Sequence, residues 1–357
     1  MSVSDQMARR GPVRPGPPAT AGPGAVSPGF RRLAVATTVA SLVLVALGGA
    51  VRATDNGLAC PDWPRCHGQW VPPLQAGLWI EHTHRLVAGV VGLMILALAV
   101  WAVARYRHRR DILWPSVTAL LAVIGQAALG ALVVLHLLRA ELVTGHLAMA
   151  MLVVACLLCL AVRADERART DDAAPRRDPR LARASAGVAA LAFAQILVGG
   201  HVTGIGAGLA YTDFPLMDGR VVPVVTSSQE LYHAVHRGLA LLLAAAVLWL
   251  CAVAVRERRR RVARGDWQPR DRWLVRLPVL ATALVAVQVL LGVANLLDGL
   301  SWVSVVPHLA VASWLWAALV LTTLLAHRRA GAGGPARSPA HAPGPARSSA
   351  HAPGPAR

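Results

Sequence analysis

At 357 residues, with 55% hydrophobic content, a mean hydropathy of +0.50 and only 15% charged residues, the chain is too apolar for a soluble domain of ordinary composition. Its formal charge of +18 raises nucleic acid as a partner, but the arginines that carry it gather in alternate loops, as membrane topology and anionic lipid require, so no nucleic-acid role is expected. A polytopic membrane protein follows.

Residues 1–30 form a Pro/Gly-rich arm, expected to be disordered, and their lack of an apolar core predicts no cleavable signal peptide. Eight apolar runs follow, at 31–51, 79–104, 112–136, 141–163, 183–204, 231–255, 273–296 and 301–326. Each is long enough to cross ~30 Å of hydrocarbon as a helix. Of the 36 arginines, 29 lie in 1–32, 105–110, 163–183, 256–272 and the tail after 327, whereas only Arg52, Arg65, Arg139 and Arg220 lie in the opposite loops. That asymmetry puts both termini in the cytoplasm of a cell-membrane protein and loops 52–78 and 205–230 outside. A linker spans 164–182, and the low-complexity tail 327–357 repeats Gly-Pro-Ala-Arg-Ser-x-Ala-His-Ala-Pro from Gly334 and again from Gly344. Its His341 and His351 read as parts of a flexible appendage rather than as metal ligands.

The chain is internally duplicated. Gly48-Gly49 and the later Gly57-Leu58-Ala59-Cys60, Asp62, Pro64 and Cys66 recur as Gly199-Gly200, Gly208-Leu209-Ala210-Tyr211, Asp213, Pro215 and Met217, always 151 residues on. His84-Arg85 recurs as His236-Arg237, and Gln126 to Gly130 recurs as Gln288 to Gly292. His146 and His308 each lie 20 residues beyond their glutamine. Each half has four spans, so the halves share one orientation. The expected fold is an all-α membrane protein, with eight transmembrane helices in two tandem four-helix bundles (31–163 and 183–326) related by a pseudo-twofold axis along the membrane normal.

His84 and His146 each sit about five residues into spans that run inward, so they lie at matched depth near the outer face. His236 and His308 do the same in the second half. Two histidines at one depth on separate helices can ligate a haem iron from both sides. A single histidine in a span is more simply a helix-to-helix hydrogen-bonding residue, but four recurring in pairs within duplicated motifs fit a haem site in each half. His82, His136, His201 and His233 read as structural or surface residues.

Glu81 lies one helical turn before His84, whereas the equivalent residue of the second half is His233. A carboxylate beside an iron site can take protons or stabilise a cation, although it can also simply favour the first turn of its helix. The asymmetry suggests chemistry in the first half and a resident cofactor in the second. Cys60 and Cys66, in an outer loop where oxidation is favoured, suit a structural or a redox-labile disulfide better than a metal. Cys156, Cys159 and Cys251 lie within spans and read as buried small apolar residues.

Gly57-Leu-Ala-Cys-Pro-Asp-Trp-Pro-Arg-Cys-His-Gly68, Glu81-His-Thr-His84-Arg85, Gln126 to Gly130 and His146, with their echo in the second half, resemble the heme A synthase family over nearly all of 31–326. The resemblance implies oxidation of the C8 methyl group of heme O to a formyl group by successive hydroxylation, giving heme A for terminal oxidases. It implies that His84 and His146 hold the substrate haem, that Glu81 is the essential carboxylate, and that His236 and His308 hold a heme b. It matches Cys60 and Cys66 to an outer-loop cysteine pair. Some members carry a second pair, where this chain has Tyr211 and Met217. Implied partners are heme O synthase, a quinone or other electron acceptor, oxidase assembly factors and membrane lipid. The alternatives are a bis-histidine cytochrome that relays electrons and, more remotely, a transporter.

Overall fold

The computed structural model describes residues 25–165 and 178–327. Most of the expected disordered arm, most of the linker and the repeat with His341 and His351 lie outside the described residues. The chain forms eight long helices: α1 (Pro28–Ala53), α2 (Ala76–Tyr106), α3 (Arg110–Leu135), α4 (Ala140–Arg163), α5 (Pro179–Gly204), α6 (Ser228–Ala263), α7 (Trp273–Leu297) and α8 (Trp302–His327). All eight are long and apolar enough to cross a membrane, and the described residues contain no strand beyond two isolated bridges.

The helix starts follow local chemistry. At α1 and α5, Ser27 and Asp178 cap the first turn by accepting the Phe30 and Leu181 amides, with a proline at the first helical position of each. Ser227 does the same for α6 through the Glu230 amide. Most observed limits fall within a few residues of the apolar runs. The exception is α6, which continues through Arg-Glu-Arg-Arg-Arg-Arg to Ala263 instead of stopping at 255. A buried ion cluster explains the extension: Arg261, only 8% exposed, reaches Asp178 at 3.0 Å, Glu257 at 3.1 Å and Asp271 at 3.8 Å. Hydropathy ends the membrane run, but these pairs keep the helix going.

Packing separates inner from outer helices. The apolar windows of α1, α4, α5 and α8 are 33–44% buried, against 11–28% for α2, α3, α6 and α7. Helices α1 to α4 pack in a ring, each on the next and α4 back on α1, and α5 to α8 pack in a second ring. The rings meet through α1 on α8, α4 on α5 and α4 on α8. Exchanging the halves turns the first of these contacts into the second and leaves the third unchanged, a pattern consistent with two bundles about a pseudo-twofold axis.

The loops repeat as well. Cys66 and Gln69 form a bridge that Met217 and Arg220 reproduce. Leu138 and Leu300, both at positive φ, press on Gly57 and Gly208, where an added Cβ would come within 3.0 and 2.8 Å of the leucine. That close approach is why each outer loop needs a glycine there.

Candidate functional site

Within each ring the histidines occupy one diagonal and glycines the other. His84 is on α2 and His146 on α4, and the two are close enough to interact electrostatically. His236 on α6 and His308 on α8 are paired likewise. The second diagonal carries Gly48 on α1 and Gly130 on α3, each under a ring edge: an added Cβ would lie 3.1 Å from His84 Cε1 and 3.0 Å from His146 Cε1. Gly199 and Gly292 take the same places in the second half, at 2.8 Å from His236 Cε1 and 3.5 Å from His308 Cε1. Glycine brings the neighbouring backbone close enough to fix each imidazole.

The surroundings suit a large planar ligand. Residues 142–150 of α4 and 305–312 of α8, which flank His146 and His308 on inner helices, are half-buried throughout, whereas most fully buried residues of both helices lie from Met151 and Ser313 onward. The apolar core of the first half, around Phe30, Ile95, Ile112 and Leu157, fills the opposite end of the bundle. The histidine end is therefore the loosely filled one. There the Nδ1 atoms of His84, His146 and His308 have no hydrogen-bond partner, a costly condition for a buried polar atom unless a ligand completes the site. Paired imidazoles are the donor set of a six-coordinate haem, so the residues present fit that group.

Glutamines contact one imidazole of each pair. Gln126 Nε2 lies 3.2 Å from His146 Nε2. Gln195 lies 3.1 Å from His236 Nδ1 and donates to the His236 carbonyl at 3.0 Å. Gln126 and Gln288 stand out in the sequence only as repeat markers. Gln195 carries no signal at all, because its counterpart in the first half is Leu44.

Over each histidine pair lies an outer loop held by an arginine. Arg85 donates to the carbonyls of Asp62 (2.7 Å), Arg65 (2.8 Å) and Cys60 (2.8 Å) and forms an ion pair with Glu81. Glu81 is 3% exposed, and its second oxygen accepts the Cys60 amide at 2.8 Å. Arg237 likewise holds the carbonyls of Asp213 (2.8 Å), Leu216 (2.9 Å) and Tyr211 (3.0 Å). In place of Glu81, His233 sets Nδ1 3.2 Å from the Tyr211 amide and Nε2 3.0 Å from the Arg237 Nε–H, and its neutral ring accepts from one of the two. The frame is the same, with a charged acceptor in one half and a neutral one in the other.

Cys60 and Cys66 are joined as a disulfide and fully buried. Asp62 ties the same loop by accepting the Gly68 and His67 amides at 2.8 and 2.6 Å. These bonds, with that from Gly68 the stronger, hold its carboxyl below the ordinary range. Asp213 is held down in the same way by the Gly219 and Asp218 amides.

The family described as COX15-CtaA, cytochrome oxidase assembly protein, matches residues 31–78 and 74–320. A heme A synthase of Geobacillus kaustophilus is 28% identical over 317 residues, spanning 87% of this chain and 94% of that protein. One of Halalkalibacterium halodurans is 27% identical over 297 residues, 82% of this chain and 95% of that protein. One of an Exiguobacterium species is 30% identical over 230 residues, 64% of this chain and 74% of that protein.

The chain belongs to the heme A synthase family. Within this heme A synthase family member, three further histidines make local contacts. His82 is buried edge-on to Trp79, with ring centroids 5.3 Å apart, His201 lies 4.4 Å from the Tyr232 ring, and His136 contacts the Leu132 carbonyl at the end of α3. Cys156, Cys159 and Cys251 are half-buried rather than fully buried as expected. They fall in no cluster of three or more metal-ligating side chains among the described residues.

Proposed function

We propose that this chain is a heme A synthase that oxidises the C8 methyl group of heme O to a formyl group, with His84 and His146 holding the substrate and Glu81 acting beside it. The observation that carries this reading is a pair of chemical differences between two similar frames: Glu81 and the Cys60–Cys66 disulfide are found in the first half, and His233, Tyr211 and Met217 replace them in the second. The second half, with His236 and His308, suits a resident heme b, which would supply one-electron transfer.

The net change at C8 takes up one water and releases four protons and four electrons to an acceptor of the quinone class. Each hydroxylation removes two electrons and a proton from the carbon, and water then adds to the resulting cation. The hydrate finally loses water to give the formyl group. Glu81 has two roles open to it in this scheme. Its negative charge lies in a site of low dielectric, where it stabilises positive charge developing near it. Arg85 and the Cys60 amide engage one lone pair on each oxygen, and a carboxylate has about four, so acceptor capacity remains for a water proton. Orientation follows the arginine distribution, with the disulfide loop outside, both termini in the cytoplasm, and the cell membrane as location. Heme O synthase and oxidase assembly factors are the partners this reading supplies.

The test is to express the chain with a supply of heme O, extract its haems and identify them by chromatography and mass. Heme A, or its hydroxylated precursor, beside heme b supports the proposal. Heme b alone, with heme O present, favours an electron-relay cytochrome. Glu81→Gln should lower heme A formation ~100-fold, as expected for losing a positioned acid–base group, while leaving bound haem nearly unchanged. An unaltered heme A yield would remove Glu81 from the chemistry.

A further inference from the structure

Away from the histidines, the arginine-rich end of the second half contains a cavity of about 890 Å³ between the start of α5, the end of α6 and the short 3-10 helix Pro269–Arg272. Five arginines and four acids line it. The acids are already matched: Asp178 and Asp271 pair with Arg261, Asp266 pairs with Arg264, and Glu257 pairs with both. Arg180, Arg256 and Arg260 are left without an acidic partner among the described residues, so the lining carries an excess of one positive charge. Asp271 is 2% exposed, and its Oδ1 has no hydrogen-bond partner.

This basin continues into a second, apolar one. A groove of about 310 Å³ lies between α5 and α6, lined by Arg183 and the apolar Gly187, Val188, Leu191 and Ala246, and it shares Ala184 and Trp249 with the charged cavity. Trp249 is 54% exposed and stands at the junction, where an aromatic ring suits the boundary between head groups and acyl chains. A basin with one excess positive charge, opening onto an apolar slot along two membrane helices, has the shape and polarity of one ligand class.

We propose that this is a binding site for an anionic phospholipid. The phosphodiester is held by Arg180, Arg256 and Arg260, a hydrogen-bond donor of the head group, such as a glycerol hydroxyl, meets Asp271, and an acyl chain lies in the Gly187–Ala246 groove. Arginine forks match phosphate oxygens geometrically, and a phosphodiester carries the one negative charge that the lining lacks. The ion cluster around Arg261 is the rigid wall that keeps the basin open. This site is independent of the haem chemistry.

The experiment uses the full-length chain in nanodiscs of phosphatidylcholine with phosphatidylglycerol, followed by mild detergent extraction and native mass spectrometry of retained lipid. Retention of one phosphatidylglycerol per chain, in preference to phosphatidylcholine and undisturbed by millimolar inorganic phosphate, is expected. Arg256→Gln with Arg260→Gln should reduce that retention about tenfold. Those arginines also bear on topology, so Gly187→Leu provides a second variant: a side chain there meets open space, and it should block the groove, reducing retention equally with no loss of helix content. Equal retention of phosphatidylcholine, displacement by phosphate alone, or unchanged retention in Gly187→Leu would overturn the proposal.

Discussion

The two outer loops share one hydrogen-bonded frame and differ in the acceptor and the closure set into it. In both, an arginine one turn beyond the acceptor gathers three loop carbonyls, and an aspartate accepts two turn amides. The amide that the first half offers to a carboxylate at 2.8 Å is offered in the second to an imidazole at 3.2 Å. Since the loop folds the same way with either acceptor, a buried negative charge is not needed for folding. Where the fold does not require a buried charge, its cost points to another use. The disulfide tells the same story, because Tyr211 and Met217 close the second loop without one.

Removing the arginines should separate the halves most strongly. Arg85→Leu leaves Glu81 buried and unpaired, a defect costing about 3–5 kcal/mol. Arg237→Leu loses comparable carbonyl bonds but leaves a neutral imidazole, a cost of about 1–3 kcal/mol. Unfolding free energies from denaturing-detergent titration measure both, and equal losses would mean that the Glu81 charge is not desolvated as its 3% exposure indicates. Next comes the disulfide. Cys60→Ser with Cys66→Ser opens a loop of sequence separation 6, and loss of so short a closure costs about 2 kcal/mol. Dithiothreitol should lower the wild-type melting temperature to that of the double variant and leave the double variant unmoved. A response of the double variant to reductant would place the sensitivity elsewhere in the chain.

The glycines under the histidines allow a finer comparison. Gly199→Ala sets a methyl 2.8 Å from His236 Cε1, too close for any real contact, whereas Gly292→Ala meets His308 Cε1 at an ordinary 3.5 Å. Overpacking of this kind costs about 1–3 kcal/mol, so haem bound in the second half should fall roughly tenfold in Gly199→Ala and hardly at all in Gly292→Ala. Haem stoichiometry by pyridine haemochrome decides it. If both variants keep full haem, the glycines do not set the ring positions.

Much of this was legible in the sequence, and for a physical reason. Hydrocarbon thickness fixes span length, so the eight helices follow from apolar runs. Duplication makes each motif its own control, which is why His84, His146, His236, His308 and the Glu81/His233 exchange stand out. What escaped notice depends on three-dimensional neighbours. Gln195 orients His236 without any repeated counterpart. The eight-residue extension of α6 rests on Arg261 meeting acids at 178 and 271, which no local window brings together. Arg85 and Arg237 read as companions of the histidines, yet their hydrogen bonds go to loop carbonyls and to the residue four positions earlier.

The smallest effect expected is that of acid on the two turns. Asp62 and Asp213 both have carboxyls held below their ordinary value of 3.8 by turn amides, from Gly68 and Gly219 first. A carboxyl depressed by folding stabilises the folded turn at pH values above its unfolded pKa, and that contribution disappears as pH falls through the folded pKa. Both turns should therefore be fully held at pH 5 and loosen below 3.8. Both turns are also held by an arginine, but the first has the buried disulfide as a covalent restraint that the second lacks. Limited pepsin digestion at pH 5 and pH 3, normalised to an unstructured peptide, should show cleavage within 213–219 rising at the lower pH while 60–68 stays resistant. After reduction both should be cut at similar rates. Equal cleavage before reduction would mean that the aspartate turns, and not the disulfide, are what hold the loops closed.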